Sequence, residues 1–294
     1  MTAQNHLQMS AEEDKRAENS LIHIGCQGWN YADWTTKAAG DTAFYPRGTR
    51  AGKMLRIYAQ AFETVEVDST FYAVPSKATL ENWFEQTPAD FRFSLKLPQI
   101  ITHANALRAG GFDVLHEFCA NVAALGEKLA AVLVQLPPQF VANAENADAL
   151  KNFLRELPGE IRFAIEFRER GWFDHAVFEL LGKHNVALCL TEGNWIPRAV
   201  VFQAAAEKIA DFAYVRFMGE RDLTAFDRVQ RRQAANLELW REALHTIQTH
   251  TANAFVYFSN FYEGFAPASA NEFKRMFGQQ TVEPESLETQ PSLF

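Results

Sequence analysis

Cysteine is scarce in this chain and never spaced for joint work. Cys26, Cys119 and Cys189 are the three present in 294 residues, with no C-x-x-C pair. That excludes a disulfide framework or a cysteine-rich zinc site, and Cys26 and Cys189, set in apolar runs, read as inert core. The first 20 residues lack any apolar run and carry Glu12, Glu13, Asp14, Lys15 and Arg16. Neither a signal peptide nor a membrane span is expected there, and the expected location is the cytoplasm. No G-x-G-x-x-G or G-x-x-x-x-G-K-[ST] follows a candidate strand, so the mark of a nucleotide-binding open sheet is missing. H-E-x-x-H and clustered His/Cys spacings are missing too. Positive charge is also in deficit, with 28 Lys and Arg against 36 Asp and Glu for a net charge of -8. Broad attraction to nucleic acid or anionic membrane is thereby disfavoured, although a local basic pocket is still allowed.

What is present is a repeated pattern in a chain that is 48% hydrophobic. Short apolar runs of strand length alternate with longer segments of helical period, the pattern of βα units closing a parallel sheet. Eight runs qualify: Ile22–Cys26, Thr64–Val67, Phe91–Lys96, Ala131–Gln135, Arg162–Phe167, Val186–Leu190, Phe212–Phe217 and Ala254–Ser259. Eight closes a barrel. Helices are expected around Lys53–Phe62, Lys77–Gln86, Asp113–Lys128, Ala147–Glu156, His175–Lys183, Arg228–His250 and Ala268–Phe277, whereas Glu192–Ala205 shows no helical face. The expected fold is therefore a single (β/α)8 TIM-like barrel over 21–278, irregular after the sixth strand, preceded by a polar tail (1–20). Residues 279–294, acidic and poor in large apolar side chains, are expected to be disordered.

In such a barrel function belongs to the C-terminal ends of the strands. There the second run ends Glu66-Val67-Asp68, the third ends at Lys96, the fifth reads Glu166-Phe167-Arg168, and the seventh carries Arg216. Period-two alternation puts Glu66 with Asp68, and Glu166 with Arg168, on one face of each strand. Buried charges need partners or a ligand. They could pair among themselves and merely close the barrel top; alternatively Lys96, Arg168 and Arg216 hold a phosphate or carboxylate while Glu66 or Glu166, its pKa raised by burial, acts as general acid or base. Asn260, beside Ser259, adds neutral hydrogen bonds. Trp29, Tyr31, Tyr72 and Trp172 offer rim aromatics for stacking, and His103 is the only histidine close after a strand end. No cofactor or metal is expected, though Glu66, Asp68, Glu166 and Glu192 are the oxygen ligands a Mg or Mn would use.

Several motifs resemble those of the YecE-like family, domain of unknown function 72. They are Gly25-Cys26-Gln27-Gly28-Trp29-Asn30-Tyr31, Phe44-Tyr45-Pro46, Glu66-Val67-Asp68-Ser69-Thr70-Phe71-Tyr72 with Pro75, Ile101-Thr102-His103, Leu136-Pro137-Pro138, Glu166-Phe167-Arg168, Val215-Arg216-Phe217 with Gly219, and Asn260 with Gly264-Phe265-Ala266. The resemblance runs from about Ile22 to Phe277 and implies a TIM-like barrel but no reaction. Asp68 stands where that family's pattern has Asn, Met218 where His is common, and Ser259 where a first Asn is common, which weakens any mechanism needing a histidine after the seventh strand.

Gln290-Pro291-Ser292-Leu293-Phe294 resembles the short peptide with which bacterial polymerases and repair proteins dock on the sliding clamp. Gln290 would fill a polar sub-pocket, and Leu293 with Phe294 an apolar one. Three functions stay open: a hydrolase-like enzyme on a phosphorylated or anionic substrate, nucleic acid included; a non-catalytic module binding a metabolite or a nucleic-acid end; and a glycosidase using Glu66 and Glu166, which needs a defined carboxylate separation.

Overall fold

Parallel pairing of the apolar runs, each neighbour to the next in sequence, produces eight strands: β1 (Leu21–Gln27), β2 (Thr64–Val67), β3 (Arg92–Lys96), β4 (Leu129–Gln135), β5 (Phe163–Glu166), β6 (Ala187–Glu192), β7 (Phe212–Phe217) and β8 (Asn253–Phe258). β8 returns to pair with β1, so the sheet has no edge. This computed structural model describes residues 21–35 and 43–287. Around the sheet lie α1 (Ala51–Ala61), α2 (Lys77–Glu85), α3 (Phe112–Val122), α4 (Ala144–Glu156), α5 (His175–Lys183), α6 (Arg198–Ala205), α7 (Ala234–Gln248), the single turn α8 (Asn260–Glu263) and α9 (Ala266–Met276). The chain is a (β/α)8 barrel.

Three expectations are corrected. The unit after β6 does contain a helix, α6, which buries Val201, Ala204 and Ala205. Its face was hidden because Ala199–Phe202 are apolar without interruption, which blurs a 3.6-residue period. The segment expected as one helix over Asp113–Lys128 leaves α-geometry after Val122, and Gly126 at φ 50 is the break. Finally, residues 279–287 of the stretch expected to be disordered are packed. Gln279 donates to the Ile22 carbonyl at 2.7 Å, Arg275 meets Glu283 at 2.9 Å, and Leu287 is buried. An acidic composition concealed one anchoring leucine. The 1–20 tail and 288–294 lie outside the described residues.

The strands divide the core in two. Outward-facing Val65, Val67, Leu95, Val132, Val134, Ile165, Val215 and Val256 join the helices in the larger apolar layer. Inward-facing side chains stack in tiers, as alternation requires: Phe212 and Phe255 low, and Tyr257 above them, its hydroxyl shared with Thr64 Oγ1 at 2.7 Å and Ser94 Oγ at 2.8 Å. Above these the tier becomes charged. Where β1 meets β2, the Tyr58 hydroxyl from α1 accepts from the Cys26 amide at 2.8 Å and donates to the Thr64 carbonyl at 2.9 Å. Gly25 allows that approach, because a Cβ there would sit 2.0 Å from the Thr64 oxygen.

Gly25→Ala must therefore push β1 from β2. It is expected to cost about 1–3 kcal/mol or more in urea unfolding, and wild-type stability in that variant would show that the seam is not tight.

Candidate functional site

The charged tier is organised by one guanidinium. Arg216, at the top of β7 and buried, donates from Nε and Nη2 to Glu66 of β2 at 2.7–3.1 Å and from Nη1 to Glu166 of β5. The Tyr214 hydroxyl adds a bond to Glu66 at 2.7 Å, and Arg168 Nε one to Glu166 at 2.8 Å. Both carboxylates are buried. Charge-assisted bonds of this kind compensate for desolvation only when the partners are satisfied, and here they are. Arg216 itself fills the space between Glu66 and Glu166.

Their proton affinities differ accordingly. Burial raises Glu66, and its one guanidinium partner does not offset that. Burial also pushes Glu166 up, but Arg216 and Arg168 together outweigh it and hold it at about 2. Of the two candidate acid–base groups, only Glu66 has the raised pKa that role requires, and it has no solvent access. Glu166 is fixed as an anion.

Two cations remain at the mouth. Lys96, at the end of β3, is mostly buried; its ammonium lies 4.0 Å from the Phe71 ring centre and makes no hydrogen bond or ion pair among the described residues. Burial lowers its pKa, with Arg216 adding to that against the pull of Asp68, Glu166 and Glu66. Arg168 spends Nε on Glu166 and lies 5.2 Å from the Trp195 ring, leaving its other N–H groups available. Between them in the electrostatic sense is His103. It sits on a π-helical turn, Ile100–Ala104, edge-on to Phe71 at 5.1 Å, with Nδ1 bonded to Thr102 Oγ1 at 2.8 Å. Burial, then Lys96 and Arg168, lower its pKa, so the imidazole is neutral at pH 7. The loop continues through Ala106 (φ 45) and Leu107 (φ 62), two left-handed residues of the kind held only where surroundings fix them. Asp68 completes the group. Its Oδ1 is buried without a hydrogen bond, 3.8 Å from Arg216 Nη2.

Of the residues expected to bind substrate, the structure thus gathers Asp68, Lys96, His103, Arg168 and Arg216 around Glu66 and Glu166. Tyr31 borders them: burial and then Asp68 push its pKa up, and its hydroxyl donates to the Gln27 carbonyl at 3.0 Å. Trp29 packs edge-on against Trp83 at 5.5 Å, and Tyr72 is exposed at the rim beside Phe71. One assignment is corrected. Trp172 is core, stacked between Phe140 and Phe167 with its indole N–H on the Phe140 carbonyl at 2.6 Å. Asn260 is buried and ties two loops together, its Oδ1 accepting from the Trp34 indole at 3.1 Å and the Ala266 amide at 3.0 Å, while its Nδ2 has no hydrogen-bond partner among the described residues. Trp195 was missed, since it belongs to the unit whose helix was hidden. Among the described residues no group of three or more His, Cys, Asp or Glu is arranged to hold a metal ion; Glu66 and Glu166 face Arg216, and Glu192 faces Arg198. Gln290, Leu293 and Phe294 lie outside the described residues.

A family model described as "Protein of unknown function DUF72" matches residues 23–292. The chain is 28% identical to the UPF0759 protein YunF of Bacillus subtilis (strain 168), over 91% of this chain and 97% of that one. It is 33% identical to the UPF0759 protein YecE of Escherichia coli (strain K12), over 52% of this chain and 50% of that one. Among solved structures, a DUF72 family protein from Thermotoga maritima MSB8 superposes with a TM-score of 0.72 at 24% identity, covering 88% of this chain and 100% of that one. An endo-β-1,4-mannanase of Cellulomonas fimi matches at a TM-score of 0.50 and 13% identity, covering 98% of this chain and 77% of that one. That last likeness concerns the barrel alone.

Glu166, depressed from 4.5 to about 2 on folding, contributes stability that is complete above about pH 4.5 and is lost as pH falls toward 2. Urea midpoints measured across that window should fall less steeply in Glu166→Gln than in the wild type; parallel curves would mean that the arginines do not hold the carboxylate.

Proposed function

The chain belongs to the DUF72 family, and from the geometry at the mouth of its barrel we propose a hydrolase-like enzyme acting on a phosphorylated or otherwise anionic substrate. The observation that carries this is the pair of unspent cations. Lys96 makes no ion pair among the described residues, and Arg168 commits only its Nε to Glu166. Desolvating a lysine without an ion pair is costly, and an anion seated between Lys96 and Arg168 would offset that cost. Phosphate geometry suits the pair, with the guanidinium offering a fork and the ammonium a point charge.

In this reading the original pair of acids divides its work. Glu66 and Glu166 set the position of Arg216, Glu166 also aims Arg168, and proton transfer falls to neutral His103 and to Asp68, whose buried oxygen accepts no hydrogen bond among the described residues. Tyr31 and Tyr72 would flank the bearer of the anion. A sugar cleaved between Glu66 and Glu166 is not supported, because Arg216 occupies that space. A module that binds without turnover would use the same cations, and phosphate release from a panel of sugar phosphates, nucleotides and abasic DNA separates the two.

Binding is tested with inorganic phosphate, followed through the His103 ring signals by NMR. Lys96→Met is expected to weaken it by roughly tenfold or more with no loss of melting temperature. Equal affinities would remove the anion reading.

For a partner we propose a bacterial sliding clamp, on the sequence Gln290–Phe294 alone. The full chain should bind such a clamp and a version ending at Thr289 should not; equal binding by both would dismiss it.

A further inference from the structure

A second concavity, of about 230 Å³, opens on the same end of the barrel between the segments after β6 and β7. Asn194, Arg198, Gly219, Arg231, Gln233 and Tyr262 line it. Glu192 at the end of β6 fixes Arg198, accepting from its Nε at 2.9 Å and also from its Nη2, and is itself anchored by the Trp240 indole at 2.7 Å. Two of the five guanidinium N–H groups are so used, which leaves three. Arg231 faces Asp222 and Glu220, so the charges of the cavity are matched rather than in excess.

Two further features of these walls call for a negative oxygen. The 15-residue helix α7 begins here, at Gln233 and Asn236, with no side chain capping it and no acidic residue in its first turn. The Gln233 amide is taken by Glu263 at 2.6 Å, but the amides that follow have no intrahelical partner and carry the positive end of the helix dipole. Independently, Tyr262 is 2% exposed and its hydroxyl has no hydrogen-bond partner among the described residues. Burial and then Glu192 push its pKa up, so it stays a neutral donor. The β7 loop comes this close only because of Gly219 (φ 68), where a Cβ would lie 2.1 Å from the Phe261 oxygen.

We propose that this cavity is a second anion site, built for a phosphoryl group. Arg198, the first amides of α7 and the Tyr262 hydroxyl each donate to one of its oxygens. A helix N-terminus beside loops after the last strands is a common phosphate cradle in barrels. The site does not depend on the central one.

The test is titration of the full chain with inorganic phosphate, following the backbone amides of Ala234, Ala235 and Asn236 by NMR. Saturable shifts are expected in the wild type and, with the same dissociation constant, in Lys96→Met. Tyr262→Phe should raise that constant roughly tenfold without lowering the melting temperature, because the hydroxyl it removes is unpaired. Arg198→Gln should raise it further. No saturable shift at these amides, an unchanged constant in Tyr262→Phe, or loss of the shifts in Lys96→Met would each overturn the proposal. Failure at His103 with success here would sink only the central site.

Discussion

Arg216 between Glu66 and Glu166 is the interaction on which the mouth of this barrel depends. A guanidinium and two carboxylates taken out of water are tolerable only as a set, since removing one member leaves an uncompensated buried charge at a cost on the order of 3–5 kcal/mol. The set joins β7 to β2 and β5, none of them neighbours in the sheet. It thereby fixes the top tier of the barrel interior, and Tyr214 beneath it supplies the remaining bond to Glu66. Everything at the mouth is placed relative to this tier. Arg168 is aimed by Glu166, and Asp68 stands one alternation beyond Glu66.

The same arrangement explains why the mouth holds charge it does not use internally. Three carboxylates, Glu66, Asp68 and Glu166, face three cations, Lys96, Arg168 and Arg216, but the pairing is uneven. Arg216 is met by all three carboxylates, whereas Lys96 meets a phenyl ring.

The fold was legible in the sequence because a strand buried on both faces must be apolar along its length, and a charge that interrupts such a run must point into the barrel. Glu66, Glu166 and Arg216 could be placed on that ground, and so could the alternative that they pair with one another, which they do. What sequence could not say is where an aromatic ring ends up. Trp172 follows a strand as Trp29 does, yet Phe140 comes from another segment to cover it opposite Phe167 of its own. Asn260 has a similar history: its partner Trp34, 226 residues away, is joined to it only by the closed fold. The rim cavity draws residues from four segments and leaves no local pattern. Residues 279–287 were misjudged because composition averages over the single leucine that docks.

His103 owes its neutrality to burial first and then to Lys96 and Arg168. An anion placed between those cations would cancel the field they exert on the ring. The imidazole would then take up a proton more readily with the site filled than with it empty. Occupancy and protonation would then be thermodynamically linked, each favouring the other.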